Sequence, residues 1–253
     1  MVMTDQYLPF AIKAASEAGA AIMEVFYSAD FGTTEKEDNS PLTRADLAAN
    51  KVIASVLRTS NLPILSEESE HIPYEERKGW KLFWLVDPLD GTKSFINKEP
   101  DFTVNIALIE NNRPVLGVVF LPYEQKIYWA TTGGGAFVRV QEAEPAHIHA
   151  TTTHTPVRVV ASKNHMNEET QSFIATREPY ELLQYGSSRK ILAVAEGLAD
   201  LYPRFGLTSE WDTAAADAIA TEAGCHMYTV SEKTPLLYNK ENILNPFFIV
   251  AGL

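Results

Sequence analysis

A chain of 253 residues with 45% hydrophobic content is long enough for one large domain or two small ones sharing a core, and nothing in it suits a fibre or a disordered chain. Its 21 Lys and Arg against 33 Asp and Glu give a net charge of −12, the wrong sign for holding nucleic acid or an anionic membrane mainly through charge. The single cysteine, Cys225, excludes an intramolecular disulfide and a CxxC zinc or redox site, as a reducing cytosol would favour.

Residues 5–27 carry Leu8, Ile12, Ala15, Ile22 and Phe26 at three- to four-residue spacing, which predicts an amphipathic helix. This start lacks the basic residues and apolar core of a leader, and no apolar run approaches the roughly 18–20 residues of a membrane span. The expected setting is the cytoplasm, with peripheral attachment to the inner face of the membrane left open. Residues 31–41, polar and closed by Pro41, read as a loop or hairpin. A second helical pattern covers 43–57, with Asp46 near its start.

Short runs rich in β-branched and aromatic residues at 63–66, 82–86, 102–109, 114–121, 126–130 and 136–140 predict strands, the last two joined by a turn at Gly133-Gly134-Gly135. The middle of the chain is therefore expected to be an antiparallel sheet. Residues 141–156 lose periodicity and read as the connection between two halves, 1–150 and 151–253. Beyond it come a strand at 157–161, helices at 168–176 and 188–197, a strand at 201–204, a helix at 213–223 ended by Gly224, and a strand at 247–250. The class is mixed α and β.

Two carboxylates three residues apart, Asp87 and Asp90, lie where an apolar strand meets the turn-like sequence Asp87-Pro88-Leu89-Asp90-Gly91-Thr92. Pro88 and Gly91 can bend the backbone so that both point at one location, and the Leu89 carbonyl can join them. Oxygen ligands of this kind suit Mg²⁺. By itself the hexapeptide reads equally well as an Asx turn. Glu67-Glu68 follows a strand, and its simplest reading is surface charge, with one residue inward and the other in solvent. Asp212 precedes an Ala-rich run, where its default role is a helix N-cap.

The order of these segments resembles the inositol monophosphatase superfamily of Mg²⁺-dependent, lithium-sensitive phosphatases. The resemblance rests on SEES at 66–69, WLVDPLDGT at 84–92 and WDTAA at 211–215. Within the superfamily the chain is similar to the CysQ-type 3′(2′),5′-bisphosphate nucleotidases through SPLTRAD at 40–46, DGTKSFI at 90–96, FTVNIALI at 102–109, GSSRK at 186–190, the segment 195–206 and the segment 237–246.

The resemblance implies a layered αβαβα sandwich in one compact unit, with most metal ligands in the first lobe and Asp212 and the nucleotide contacts in the second. It implies one Mg²⁺ on Glu67, Asp87 and the Leu89 carbonyl, a second on Asp87, Asp90 and Asp212, and in some members a third near Glu67. Thr92 with Asp46 would orient and deprotonate an attacking water, with Glu67 beside them. The Gly91 and Thr92 amides would meet the phosphate. The expected nucleotide contacts are Ser162, Lys163, His165, Gly186, Ser187, Lys190, Arg204 and Asp212, with Lys190 and Arg204 neutralising a second phosphate. Arg189 stands where Leu is more usual.

The implied substrate is a small nucleotide, adenosine 3′,5′-bisphosphate, hydrolysed to AMP in support of sulfate assimilation. The rivals are an inositol phosphate phosphomonoesterase and a catalytically silent binding protein, the latter disfavoured because every implied ligand is present. Oligomeric state is not legible, and His147, His149 and His154 are assigned no chemistry.

Overall fold

The computed structural model describes residues 4–36, 40–151, 154–163 and 166–252. A 3₁₀ turn, Thr4–Gln6, leads into α1 (Leu8–Phe26), whose buried face is mostly alanine and closes with Ile22 and Phe26. Small side chains on that face let α1 pack closely against α2 (Arg44–Leu57). Between them the segment read as a loop or hairpin forms two short antiparallel strands, β1 (Thr34–Glu35) and β2 (Pro41–Leu42).

A seven-stranded sheet follows in sequence order: β3 (Ile64–Ser66), β4 (Leu82–Asp90), β5 (Thr103–Glu110), β6 (Arg113–Leu121), β7 (Lys126–Thr131), β8 (Gly135–Val140) and β9 (Ala146–His147). Helices α3 (Tyr74–Arg77) and α4 (Thr92–Ile96) flank β4 in the chain. One expectation needs correction: β3 and β4 run parallel, and only the remaining pairs are antiparallel. An apolar run marks a strand but carries no direction; here α3 and its flanking turns bring the chain back to the same end of the sheet. The presumed connection at 141–156 also differs, because β9 within it adds an edge to the sheet.

The second sheet has the order β11-β10-β12-β14-β13, from β10 (Val157–Ser162), β11 (Tyr180–Tyr185), β12 (Leu201–Arg204), β13 (His226–Thr229) and β14 (Phe248–Ala251). Helices α5 (Glu168–Ala175), α6 (Arg189–Ala195) and α7 (Glu210–Glu222) complete the fold. One apolar core lies between the first sheet and α1 and α2; a second joins that sheet, α6 and α7 to the second sheet; a third small one sets α5 on β10. The layers therefore run helix, sheet, helix, sheet, helix, the expected sandwich of mixed α and β.

Helix α7 lies across the first sheet so closely that a Cβ on Gly117 of β6 would sit 2.1 Å from the Ala215 carbonyl oxygen. Only glycine permits that approach. Among the described residues no helix is long and apolar enough to cross a membrane.

Candidate active site

The site forms where β3, β4 and β12 end and where α2, α6 and α7 begin. In a regular strand Asp87 and Asp90, three residues apart, would face opposite sides of the sheet. The β4–β5 register prevents this: Asp87 pairs with Asn105 and Asp90 with Thr103, so two residues of β4 oppose one of β5. That extra residue is a bulge, and it turns both carboxylates toward one end of the sheet. The expected turn is thus a bulged continuation of the strand. The Asp87 carboxylate accepts the Leu89 amide at 3.0 Å, the Asx contact anticipated for the hexapeptide. Gly91 has φ 94°, and a Cβ there would lie 2.5 Å from the Asp101 carbonyl oxygen.

Two further carboxylates arrive through the same device. Thr43 caps α2, and Asp46 at the third helical position accepts the Thr43 amide at 2.8 Å and its hydroxyl at 2.6 Å. Ser209 caps α7, and Asp212 at the third position accepts the Ser209 amide at 2.8 Å. Asp212 is therefore not the N-cap: α7 starts at Glu210, three residues earlier than expected, because TRAD and SEWD are both capping boxes. The Thr92 hydroxyl donates toward Asp46 and the Leu89 carbonyl, each at 3.2 Å.

Single carboxylate oxygens of Glu67, Asp87 and Asp212 lie within 4.8 Å of one another. Asp90 stands beside this trio and accepts the Ser188 hydroxyl at 3.3 Å. Burial, and then the neighbouring carboxylates, push Asp87 and Asp212 well above the ordinary carboxylate range. Burial also raises Asp90, against the pull of Lys190 and of Ser188. Buried carboxylate oxygens that repel one another form a donor set fitted to hard divalent cations, Mg²⁺ among them.

Glu67 and Glu68 do not divide between interior and solvent. The Lys36 ammonium bridges them, 2.7 Å from Glu67, and the Glu68 side chain is only 6% exposed. Burial pushes Glu68 up to about 7 despite that bond.

A cavity of about 290 Å³ opens in front of the acids. Its lining takes Glu67, Asp90, Gly91, Thr92 and Asp212 from around the acids, and Ser162, Gly186, Ser187, Lys190 and Arg204 from the second half of the chain. Lys190 is buried in the first turn of α6, where its ammonium donates to the Ser187 carbonyl at 2.5 Å. Burial, with Arg204 nearby, lowers it to about 8. Arg204 is held by bonds to the Thr208 hydroxyl and the Leu207 carbonyl, both at 2.9 Å. Among the described residues the buried Ser187 hydroxyl, on a residue with φ 44°, has no partner.

Not every expected residue reaches the cavity. Lys163 lies outside its lining, with its ammonium on Glu99 at 2.7 Å, because an exposed lysine takes the nearer carboxylate. His165 falls outside the described residues. Arg189 neither faces solvent nor enters the cavity: it pairs with Asp101 and Glu124 at 3.0 and 2.6 Å. Of the histidines, His154 pairs with Asp200 at 2.9 Å, and His147 packs at a tilt on Phe137 and stacks with His149.

Sequence reasoning also missed Lys36 and Tyr202, and took Ser188 only as part of a helical start whose free amides favour an anion. The Ser188 hydroxyl bonds both Asp90 and, at 2.8 Å, the Asp212 carbonyl, so it ties the start of α6 to the acids. Tyr202 sits two residues before Arg204 on β12, and the two-residue period of a strand was the signal that both reach the cavity.

The chain matches the inositol monophosphatase family over residues 3–247. It is 43% identical over 248 residues to the 3′(2′),5′-bisphosphate nucleotidase CysQ of Salmonella typhimurium, covering 94% of this chain and 96% of that protein. Among solved structures, CysQ from Bacteroides thetaiotaomicron is 40% identical, with a TM-score of 0.89 over 99% of this chain and 98% of the other. An inositol monophosphatase from Thermotoga maritima, 24% identical, shares the fold with a TM-score of 0.78 over 97% and 92% of the two chains. With its acids gathered at the bulged end of β4 and at two helix caps, the chain belongs to the inositol monophosphatase family.

Proposed function

We propose that the chain is a Mg²⁺-dependent 3′(2′),5′-bisphosphate nucleotidase that hydrolyses the 3′-phosphate of adenosine 3′,5′-bisphosphate to give AMP and phosphate, a step linked to sulfate assimilation. The observation that carries this reading is that one cavity is lined by two sets of opposite charge. The carboxylates of Glu67, Asp90 and Asp212 share its lining with the cations Lys190 and Arg204. A phosphate to be cleaved fits the first set with its bound metal ions, and a phosphate to be retained fits the second.

Glu67, Asp87 and the Leu89 carbonyl would hold one Mg²⁺, and Asp87, Asp90 and Asp212 a second, with Asp87 shared; Glu67 is also where a third would attach. When bound, such a pair stabilises both the attacking and the leaving oxygen of an in-line displacement. The remaining work falls to the chain. The Thr92 hydroxyl, aligned by Asp46, orients the attacking water, and Asp46 takes its proton. Burial raises the Asp46 carboxyl, while the bonds from Thr43 pull it back and keep it available as a base.

The amides of Gly91 and Thr92 face the transferred phosphate, with Asp212 at its far edge. Ser162, Gly186, Ser187, Lys190 and Arg204 receive the rest of the nucleotide; the unpartnered Ser187 hydroxyl supports this assignment. Lys163, engaged by Glu99, is left out of the contact set.

The test is phosphate release from adenosine 3′,5′-bisphosphate and from inositol 1-phosphate, measured side by side with Mg²⁺ and with added Li⁺. Release from the nucleotide, suppressed by Li⁺, is the expected result. Turnover of the inositol phosphate alone would replace this reading with that of an inositol phosphate phosphomonoesterase.

A further inference from the structure

Glu210 is fully buried in the first turn of α7, two residues before Asp212, and lies outside the cavity lining. Its carboxylate is received by a distant segment, residues 237–245. It accepts the backbone amides of Asn239 and Lys240 at 2.6 and 2.9 Å and the Lys240 ammonium at 2.6 Å. Asn239 has φ 67°, the left-handed conformation that turns successive amides toward one anion.

The same segment is gripped from behind by Arg77, also buried. The Arg77 guanidinium donates to the Asn239 side-chain oxygen at 2.8 Å and to the carbonyls of Lys240 and Glu241 at 2.7 and 3.1 Å. Asn245 closes the clamp: its side-chain amide donates to the Ser209 carbonyl and to the Thr213 hydroxyl, both at 2.9 Å. The turn that carries Asp212 is thereby held on both sides.

Stability alone is a poor reason for such an arrangement, because a buried ion pair is often replaced by apolar residues of similar volume at no loss. Location supplies a better one. The Ser209 amide occupies Oδ2 of Asp212, so the direction of its other oxygen depends on how rigidly this turn is held. We propose that Glu210 is a positioning residue, which with Lys240 and Arg77 aims Asp212 at Glu67 and Asp87 and so sets the affinity of the acid cluster for its divalent cation. This rests on the Mg²⁺-dependent reading above. Supporting groups of this kind are worth about 10- to 100-fold in metal affinity or activity.

The experiment is titration of the protein with Mg²⁺ alone by calorimetry, without nucleotide. The double variant Glu210→Gln with Lys240→Met removes both charges of the pair together, the buried carboxylate and the partly exposed ammonium. It is expected to melt near the parent temperature, to bind Mg²⁺ about 10- to 100-fold more weakly, and to lose kcat while KM for the nucleotide at saturating Mg²⁺ is unchanged. Arg77→Lys keeps the charge but cannot span three acceptors, and it is expected to move Mg²⁺ affinity in the same direction. Parent-like Mg²⁺ binding in either folded variant overturns the proposal. Failure of both variants to fold overturns it as well, since the clamp would then serve stability only. A parent that binds Mg²⁺ yet releases no phosphate from the nucleotide would instead count against the proposed reaction.

Discussion

The two charged sets at the cavity are built differently. On the acid side four carboxylates are placed by the backbone, Asp87 and Asp90 by a strand bulge, Asp46 and Asp212 by capping boxes at two helix starts, and only Glu67 is held by a side chain, Lys36. On the basic side Lys190 rises from a helix of seven residues and Arg204 from a strand of four, each steadied by one or two hydrogen bonds. Hydrogen-bonded backbone holds atoms in place more tightly than a long side chain can. The acid set therefore suits chemistry that needs close geometry, and the basic set suits recognition. Ser188, at the start of the helix that carries Lys190, is bonded to Asp90 and to the Asp212 carbonyl and so links the two sets.

This contrast breaks most readily at Asp90. Its side chain is bonded by the amide and hydroxyl of Ser188, contacts that an amide oxygen can also accept, so Asp90→Asn is expected to bring phosphate release to background while the melting temperature stays near the parent value. Substantial turnover by that variant would mean the acid set does not hold the cations. In the basic set Lys190→Met is expected to raise KM for the bisphosphate by about 10- to 100-fold, the worth of one charge-assisted contact, with kcat largely kept. A loss confined to kcat would assign Lys190 to the chemistry instead.

The smallest effect sharpens the contrast from outside both sets. Asp217, on α7 beyond the cavity lining, is pushed up to about 6 by burial, against the bond from the Tyr238 hydroxyl at 2.7 Å. The folded chain then keeps a proton that the unfolded chain releases near pH 4, so this group lowers stability as pH rises from about 4 to 6. Asp217→Asn is expected to remove about 2 kcal/mol of the stability difference between pH 4.5 and 7.5 in denaturant titrations, leaving turnover near normal. An unchanged pH dependence would show that Asp217 does not carry it.

Legibility followed physical cause. Helices α1 and α2 were readable because burial on one face leaves a period in the sequence, and the inner strands, buried on both faces, because they are short runs of β-branched and aromatic residues. Strand β11 was not, since its residues are mostly exposed and show no alternation. The start of α7 was misplaced although Ser209 and Asp212 have the spacing of a capping box. Each acid alone had an adequate structural explanation, as a turn, a cap or surface charge, and only the shared order of the motifs brought them together. Lys36 escaped notice because nothing local links it to Glu67, thirty-one residues away. Lys163 was expected at the nucleotide because the motif places it there, and the competing carboxylate of Glu99 lies 64 residues off.

The double service of the capping carboxylates bears on how relatives that have lost activity should be recognised. Asp46 and Asp212 close helix ends, and Asp87 holds an Asx contact, so folding alone would retain all three in a descendant freed from catalysis. Asp90 closes no helix end of its own and is bonded instead by Ser188, from across the site. In a chain of this architecture an intact TRAD or SEWD segment therefore says little about turnover, and the residue at position 90 is the one to inspect first.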